Sequence, residues 1–308
     1  MGTIIQVNNL TKNYGASRGI NDVTFDIIEG EVCGFLGPNG AGKTTTIRVL
    51  MGLLRPTAGD AAIGGLDCWR QSTQVKRLVG YLPGEFSFDP SLKGAQIIEY
   101  LGNLRGGVDQ AFVRKLIERL GVDPGKRFRE YSRGNKQKIG LVQAFMHRPR
   151  LLILDEPTSG LDPLNQQEFY TMIDEVHAEG RTVFLSSHIL PEVEHTCSRV
   201  GIIREGELVE VNDVAALKDI KQHDVEMSFA TPASAAWFVN VPGVISATPR
   251  RDGLDMHLTV QGEMREVIKL AAEHDATNLV IHEPGLEEVF LRFYKSGQPP
   301  ATAGTSKV

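Results

Sequence analysis

A glycine-rich segment constrains the fold of this chain most strongly, because it joins the apolar run Val32–Leu36 to a predicted helix that begins near Lys43. Its fixed positions follow the pattern G-x-x-x-x-G-K-[ST]. Glycines permit a tight wrap in which backbone N–H groups converge on an anion, and the dipole of the following helix favours the same negative charge. The pattern therefore predicts a phosphate-binding loop between a buried strand and a helix. Its residues are Gly37, Pro38, Asn39, Gly40, Ala41, Gly42, Lys43, Thr44 and Thr45.

Two side chains of this loop carry specific chemistry. Lys43 is expected to reach the β- and γ-phosphates of a nucleotide as a point charge, and the Thr44 hydroxyl is placed to ligate Mg²⁺. The alternative is a glycine-rich turn with an unrelated lysine, and the match at every fixed position speaks against it. The loop predicts a nucleotide site but does not say what is done with the nucleotide.

Composition and charge limit the class of protein. The 308 residues suffice for a large and a small domain, and a hydrophobic fraction of 41% with a charged fraction of 23% is typical of a globular protein. The net charge of −5 gives no electrostatic footprint for nucleic acid, so no nucleic-acid partner is expected. No run approaches the ~20 apolar residues of a membrane-spanning helix, and no signal peptide is evident, so a cytoplasmic location is expected. The cysteines, Cys33, Cys68 and Cys197, are too widely spaced to predict a disulfide framework.

The order of predicted elements indicates an α/β fold with a mixed, mostly parallel sheet. Residues 4–10 and 23–28 alternate apolar and polar side chains, which predicts an antiparallel β subdomain with Tyr14 in the connecting loop. Residues 90–147 have helical periodicity and form a predicted helical subdomain. Elsewhere strands alternate with helices, which implies nucleotide binding at the carboxyl ends of the parallel strands. These strands are predicted over 61–64, 79–82, 151–154, 182–185 and 199–203, and the helices over 43–53, 72–77, 164–178 and 191–197.

The C-terminal third predicts a separate small domain. Its element order, βαββαβ, is the ferredoxin-like α+β arrangement. A closing helix from residue 286 carries an apolar stripe, interpreted either as cover for the small core or as a partner surface. The predicted domains are a nucleotide-binding domain over 1–218, the small domain over 219–295 and a disordered tail over 296–308. The small domain's strands are predicted over 224–229, 247–249, 254–260 and 278–282, and its helices over 233–239 and 263–273.

Two adjacent carboxylates follow the apolar run 151–154. Asp155 fits the Mg²⁺ partner that phosphate-loop enzymes take from a neighbouring strand, and Glu156 is placed to polarise the water that attacks the γ-phosphate. Because neighbouring carboxylates repel each other, Mg²⁺ and Lys43 are needed to keep both ionised. An apolar run followed by Asp-Glu is by itself a common strand end, but downstream of a phosphate loop it is a strong indication of a nucleotide-hydrolysing site.

Further motifs follow the phosphate loop in a fixed order, and they carry a family resemblance. They are Tyr131-Ser-Arg-Gly-Asn135, Asp155-Glu156-Pro157, Ser159-Gly-Leu-Asp162 and Ser186-Ser187-His188. With them the chain resembles an ABC-type ATPase over roughly residues 4–218, which implies a P-loop ABC ATPase fold and the ligands ATP and Mg²⁺. The family's signature is usually Leu-Ser-Gly-Gly-Gln, of which Ser132 and Gly134 remain here. The resemblance implies that these two residues contact the γ-phosphate held by the opposite subunit.

The resemblance assigns roles to three more residues. His188 matches the switch histidine that contacts the γ-phosphate and the catalytic glutamate, and Asp162 resembles the residue that links the two subunits' sites. Tyr14 resembles the aromatic residue on which adenine stacks, with a core tyrosine as the alternative. For His188 the alternative is a metal site shared with Glu192 and His195 at helical spacing, which Pro191 disfavours.

One position departs from the family pattern. The family has Gln after the strand over 79–82, where it ligates Mg²⁺ and relays motion to the membrane partner, whereas this chain has Gly84 followed by Glu85. Either Glu85 replaces it as an oxygen ligand or a water takes that place. Glu85 is the preferred candidate.

The segment over 282–294 is similar to the tail of ATPase subunits of drug exporters of the daunorubicin-resistance type, whose membrane subunit is a separate polypeptide. One phosphate loop and one signature in the chain imply a second ATPase subunit, identical or paralogous. The expected function is the ATP-hydrolysing subunit of an exporter of a drug-like or lipid-like compound, peripheral on the cytoplasmic face of the membrane, with the permease docked near residues 85–101.

Two other functions remain as alternatives. The first is a soluble ABC ATPase that acts on ribosomes or DNA, and the lack of a second cassette and of a long heptad insertion disfavours it. The second is a regulatory module that binds ATP and barely hydrolyses it. Intact Lys43, Asp155, Glu156 and His188 disfavour that module.

Overall fold

The computed structural model describes residues 2–15, 17–218 and 222–282. They belong to two compact units that divide between Asp213 and Val214, slightly before the position 218 expected from sequence. The predicted closing helix from residue 286 and the tail over 296–308 lie outside the described residues. Among the described helices, none combines the length and apolar character needed to cross a membrane.

The first unit alternates strands and helices, as the sequence predicts. Its strands are β1 (Thr3–Tyr14), β2 (Ser17–Ile28), β3 (Val32–Leu36), β4 (Ala58–Ile63), β5 (Leu66–Asp67), β6 (Val79–Leu82), β7 (Leu151–Asp155), β8 (Thr182–Ser187), β9 (Arg199–Arg204) and β10 (Glu207–Asp213). Its helices are α1 (Lys43–Leu50), α2 (Ser72–Leu78), α3 (Gly94–Leu104), α4 (Gln110–Arg119), α5 (Arg133–Phe145), α6 (Pro163–Ala178) and α7 (Leu190–Thr196), and a 3-10 turn spans Phe128–Glu130.

A six-stranded sheet carries the site. Its strand order is β10-β9-β3-β8-β7-β6, and every neighbouring pair from β9 to β6 is parallel, which confirms the mostly parallel sheet. Each residue of β3, β7 and β8 is buried, because both faces of the sheet centre are covered. Since the three strands are parallel, they end at the same edge, which carries the phosphate loop after β3, Asp155 at the end of β7 and His188 after β8.

The edge strand β10 was not predicted from the sequence. It pairs antiparallel with β9 through a tight turn in which Glu205 has φ 54° and Gly206 has φ 90°. Such a turn, with two residues at positive φ, is typical of a short β-hairpin. The Glu-Gly dipeptide between two apolar runs was the available signal.

A second sheet, antiparallel and with the order β2-β1-β4-β5, forms the predicted β subdomain. Strands β1 and β2 are longer than predicted, and Tyr14 is the last residue of β1 rather than part of a loop. Helix α1 is shorter than the predicted 43–53, because Gly52 turns the chain with φ 60°. Gly52 also lies so close to Cys68 that a Cβ at this position would be 2.4 Å from the Cys68 carbonyl oxygen.

The second unit begins with α8 (Val214–Lys218) and has a four-stranded antiparallel sheet. Its further elements are β11 (Gln222–Phe229), β12 (Val244–Arg250), β13 (Asp255–Gln261), α9 (Arg265–Glu273) and β14 (Ala276–His282), in the sheet order β12-β13-β11-β14. This is the ferredoxin-like strand order. The predicted helix over 233–239 is wrong, since only a 3-10 turn, Ala235–Trp237, forms there. Pro232 and the Pro242-Gly243 pair leave too few residues between them for a stable helix.

Three phenylalanine rings join the two sheets of the first unit. Phe25 of β2, Phe35 of β3 and Phe184 of β8 have ring centroids 5.5 to 5.7 Å apart. Tilted ring pairs at this distance add to the stabilisation that burial alone provides. Because Phe35 and Phe184 belong to β3 and β8, the cluster supports the strands that carry the site.

We therefore expect Phe184→Ala to lower the free energy of unfolding by ~3 to 5 kcal/mol, because it removes the shared ring and leaves a cavity. Urea unfolding monitored by circular dichroism measures the change. Leu164→Ala is the control, since Leu164 is 83% exposed and its truncation should change stability by less than ~0.5 kcal/mol. Equal effects of the two substitutions would contradict the role of the cluster.

Candidate nucleotide-binding site

The predicted phosphate loop connects β3 to α1, and two of its glycines are required by close contacts. A Cβ at Gly37 would lie 2.3 Å from the carbonyl oxygen of Ile203, and a Cβ at Gly42, where φ is 112°, would lie 2.6 Å from the Ile20 side chain. Neither position has room for another residue. The loop is therefore held tightly against β9 and β2, with its backbone wrapped ahead of α1.

Lys43 lies inside this wrap. Its Nζ donates hydrogen bonds to the carbonyls of Gly37 at 2.6 Å and Pro38 at 3.2 Å, and it lies 3.1 Å from Glu156 Oε1. The ammonium group is thus shared between the loop and the carboxylate at the end of β7. Thr44 and Thr45, the next residues of α1, are half-buried.

Asp155 ends β7 and is fully buried. Its Oδ1 accepts a hydrogen bond from Ser186 Oγ at 2.6 Å, whereas Oδ2 has no hydrogen-bond partner among the described residues. A buried carboxylate oxygen without a partner is costly, and a divalent cation or its coordinated water satisfies it. The residues present therefore fit the expected Mg²⁺ at this end of the strand.

Gly84 rather than Glu85 lies against this carboxylate. A Cβ at Gly84 would be 3.0 Å from Asp155 Oδ2, while Glu85 is exposed. A side chain at position 84 would therefore crowd Oδ2. Glu85 as a metal ligand stays a prediction.

Glu156 is fixed at four points. Its N–H is 3.2 Å from the Ser186 carbonyl and 3.1 Å from Ser186 Oγ, and its own carbonyl accepts from Gln137 Nε2 at 3.0 Å. Its carboxylate pairs with Lys43 through Oε1 and with His188 Nδ1, at 2.5 Å, through Oε2. The residue has φ 53°, a conformation rare outside glycine, which persists only where the surroundings enforce it.

His188 follows β8 and meets Glu156, as the sequence analysis expects. The metal alternative required His188, Glu192 and His195 to converge. Instead Glu192 accepts a hydrogen bond from Ser187, and the His195 ring lies 4.9 Å from that of Tyr170. Within the part of the chain that the structure describes, no group of three or more His, Cys, Asp or Glu side chains could hold a metal ion.

The signature residues lie at the start of α5. Ser132 caps this helix by accepting from the Asn135 N–H at 3.3 Å, and a Cβ at Gly134 would lie 2.4 Å from the Gly160 carbonyl oxygen. No hydrogen bond or ion pair among the described residues joins Ser132 to Lys43, Asp155, Glu156 or His188. The structure thus groups the phosphate loop with the acidic pair and the histidine, and leaves the signature outside that group.

Asp162 and Tyr14 also lie outside the group formed by the phosphate loop, the acidic pair and His188. Asp162 caps α6, and hydrogen bonds from Asn165 hold the pKa of its carboxyl below the usual value. Tyr14 is 41% exposed, with Lys12 Nζ 5.5 Å from its ring centroid, so the alternative of a core tyrosine is wrong. Its adenine-stacking role stays a prediction.

Gln137 and Ser186 received no role of their own from the sequence, and Glu192 was considered only as a ligand in the metal alternative. Gln137 is buried on α5 and its amide donates to the carbonyls of both Glu156 and Pro157. Its position five residues after Ser132 was the only available signal. Glu192 is 1% exposed, and burial raises the pKa of its carboxyl to about 7, although the hydrogen bond from Ser187 opposes the rise.

The raised pKa of Glu192 predicts a pH-dependent stability. Its pKa of about 7 in the folded chain exceeds the ordinary pKa of a glutamate, about 4.5, so folding favours the protonated form. The stability linked to this proton is fully present below about pH 4.5 and is lost as the pH rises through about 7. Glu192→Gln cannot titrate, so its stability relative to wild type should increase by up to ~3 kcal/mol between pH 5 and 8. Urea unfolding of both proteins across this range measures the difference, and a pH-independent difference would contradict the assignment.

Comparisons with known proteins agree with this geometry. The family model described as ABC transporter matches residues 20–159. The bacitracin transport ATP-binding protein BcrA of Bacillus licheniformis is 32% identical over 303 residues, which cover 96% of this chain and 99% of that protein. The linearmycin resistance ATP-binding protein LnrL of Bacillus subtilis is 29% identical over 302 residues, which cover 94% of this chain and 97% of LnrL.

Solved structures show the same fold. An ATP-binding subunit of an ABC transporter matches with a TM-score of 0.65 at 29% identity, covering 70% of this chain and 92% of that one. A dimeric ATP-binding cassette in a post-hydrolysis state, bound to ADP and Pi, matches with a TM-score of 0.63 at 19% identity, covering 68% of this chain and 99% of that one. The phosphate loop, the carboxylate pair and the match to BcrA over 96% of this chain lead to one conclusion: this chain is an ATP-binding protein of the ABC transporter family.

Proposed function

We propose that the chain binds and hydrolyses ATP as one of two ATPase subunits of an exporter, and drives a drug-like or lipid-like compound through a separate membrane subunit. The observation that carries the proposal is the carboxylate of Glu156, held between Lys43 and His188 beside the buried Asp155. The printed names of BcrA and LnrL, which refer to bacitracin transport and linearmycin resistance, support the exporter part.

The chain's own residues divide the chemistry among them. Asp155 and Thr44 would hold Mg²⁺, and the bound ion supplies charge neutralisation at the β- and γ-phosphate oxygens. Lys43 already lies among the loop carbonyls, within reach of the phosphates that the loop is shaped to bind. Glu156 would take a proton from the attacking water, and His188 keeps its carboxylate in place through Oε2.

The position of the signature supports a second ATPase subunit. Ser132 caps α5 and Gly134 packs against Gly160, and no hydrogen bond among the described residues joins Ser132 to the chain's own phosphate loop, which fits a signature that serves a nucleotide held by a partner. Each complete site would then take its phosphate loop from one subunit and its signature from the other. The permease would dock near residues 85–101, with the ATPases on the cytoplasmic face of the membrane.

The proposal predicts that Glu156→Gln binds ATP, forms stable dimers with ATP and Mg²⁺, and hydrolyses ATP at least ~100-fold more slowly than wild type, because an amide cannot take the proton. Phosphate release and size-exclusion chromatography with light scattering measure the two effects. Asp174→Asn is the matched control, since Asp174 lies on the exposed face of α6. Wild-type turnover in Glu156→Gln would refute Glu156 as the base.

The adenine-stacking role predicts that Tyr14→Ala weakens ATP binding by ~1 to 3 kcal/mol, whereas Tyr14→Trp retains it, because only a flat ring offers a stacking face. Isothermal titration with a slowly hydrolysed ATP analogue measures the affinity. Equal affinities of the alanine variant and wild type would remove Tyr14 from the site.

The exporter part is tested by purifying the chain with its native partners. A polytopic membrane protein in stoichiometric amount supports it. Co-purification of ribosomes or DNA instead of a membrane protein would favour the soluble ABC ATPase. Co-purification of a soluble regulator without a membrane protein would favour the regulatory module.

A further inference from the structure

The turn that carries His188 is short and is closed by one side chain. Strand β8 ends at Ser187 and helix α7 begins at Leu190, so His188 and Ile189 alone connect them. Ser187 Oγ accepts a hydrogen bond from the Ile189 N–H at 2.9 Å. This bond spans His188 from one side to the other, so it sets the direction in which the histidine leaves the strand.

The hydroxyl of Ser187 is oriented in turn by a carboxylate. Its single proton is donated to Glu192 Oε2, and the carbonyl of Ile189, at 3.4 Å, is the more distant acceptor. With the proton directed at Glu192, the lone pairs of Ser187 Oγ face the Ile189 N–H. Glu192 therefore fixes the orientation in which the Ser187 hydroxyl accepts this bond.

The backbone of Glu192 is fixed by a hydrogen bond within its own helix. It lies in the first turn of α7, directly after Pro191, and Thr196 Oγ1 donates to its carbonyl at 2.7 Å. The side chain is 1% exposed. Burial of a carboxyl group costs free energy, and an apolar residue of similar size fills such a place without that cost. The Glu192 side chain therefore contributes a hydrogen-bond acceptor at this position rather than apolar volume.

Ser186, the residue before Ser187, also donates one hydrogen bond and accepts another, on the other face of β8. Ser186 Oγ donates to Asp155 and accepts from the Glu156 N–H. Successive residues of a strand point to opposite faces, so Ser186 supports the catalytic carboxylate and Ser187 supports the histidine turn. Two hydroxyl relays thus reach Glu156 and His188 from the two faces of β8.

We propose that Glu192 is a positioning residue for hydrolysis, which acts through Ser187 to hold the 187–189 turn so that the His188 ring stays on Glu156. This inference rests on the proposed ATPase function of the site. Glu192 touches neither nucleotide phosphate nor the attacking water in this scheme. Its loss should affect the rate of hydrolysis and leave the binding of ATP intact.

The test compares Glu192→Leu, which removes the acceptor, with Glu192→Gln, whose amide oxygen can still accept from Ser187. Ser187→Ala and the double variant Ser187→Ala/Glu192→Leu complete the set. We expect Glu192→Leu and Ser187→Ala each to lower kcat by ~10-fold or more with KM for ATP within ~2-fold, and Glu192→Gln to stay within ~3-fold of wild type. The double variant should be no slower than the single variants, because both act through one relay.

A second readout does not depend on nucleotide. Amide hydrogen exchange of the nucleotide-free protein, followed by NMR, should show protection of the Ile189 N–H lost by ~10-fold or more in Glu192→Leu and Ser187→Ala and retained in Glu192→Gln. If Glu192→Leu does not fold, Ser187→Ala tests the same relay with the loss of one oxygen atom.

Three outcomes would overturn the inference: an unchanged kcat in Glu192→Leu or Ser187→Ala, an undiminished protection of Ile189, or equal losses in Glu192→Gln and Glu192→Leu, which would mark a role in packing alone. Failure of the proposed function looks different. In that case wild type would not hydrolyse ATP, while the exchange of Ile189 would still respond to the variants as expected.

Discussion

The site depends on keeping two adjacent carboxylates, Asp155 and Glu156, at the end of a strand that is buried on both faces. Water cannot solvate Asp155 there, so the protein replaces water with directed donors. Ser186 serves both residues, through a hydrogen bond to Asp155 and another from the Glu156 N–H, and Lys43 supplies the compensating positive charge. The strained backbone of Glu156 is held by the same set of contacts.

Much of this fold was predictable from the sequence, for physical reasons that particular elements show. The runs that became β3, β7 and β8 are continuous and apolar because both faces are covered, and such runs are easy to find. The edge strand β10 was missed because it is half-buried along most of its length and so lacks a strong pattern. The short helix expected near Trp237 failed because local propensity could not outweigh the proline residues around it.

The positions of Lys43 and Asp155 were predictable because chemistry imposes a residue type at a fixed place in the motif, and that of His188 was expected from the family resemblance. The site was not predictable where the contact is made across the fold. Gln137 reaches the carbonyl of Glu156 from a helix that starts more than twenty residues earlier in the chain. Glu192 accepts a hydrogen bond from Ser187, whereas the sequence suggested for it only a possible role as a metal ligand. Neither residue has a local pattern, since its partner is known only from tertiary structure.

The contact between α5 and the segment after Glu156 restricts how one subunit can change shape. Gly134 lies close against the Gly160 carbonyl, Arg133 Nη2 donates to Ser159 Oγ at 2.7 Å, and Gln137 donates to the Glu156 carbonyl. Ser132, proposed above to serve a nucleotide held by a partner subunit, is therefore linked through α5 to Glu156 of its own site. In the proposed pair of subunits, a displacement at one site would be passed through α5 to the other site.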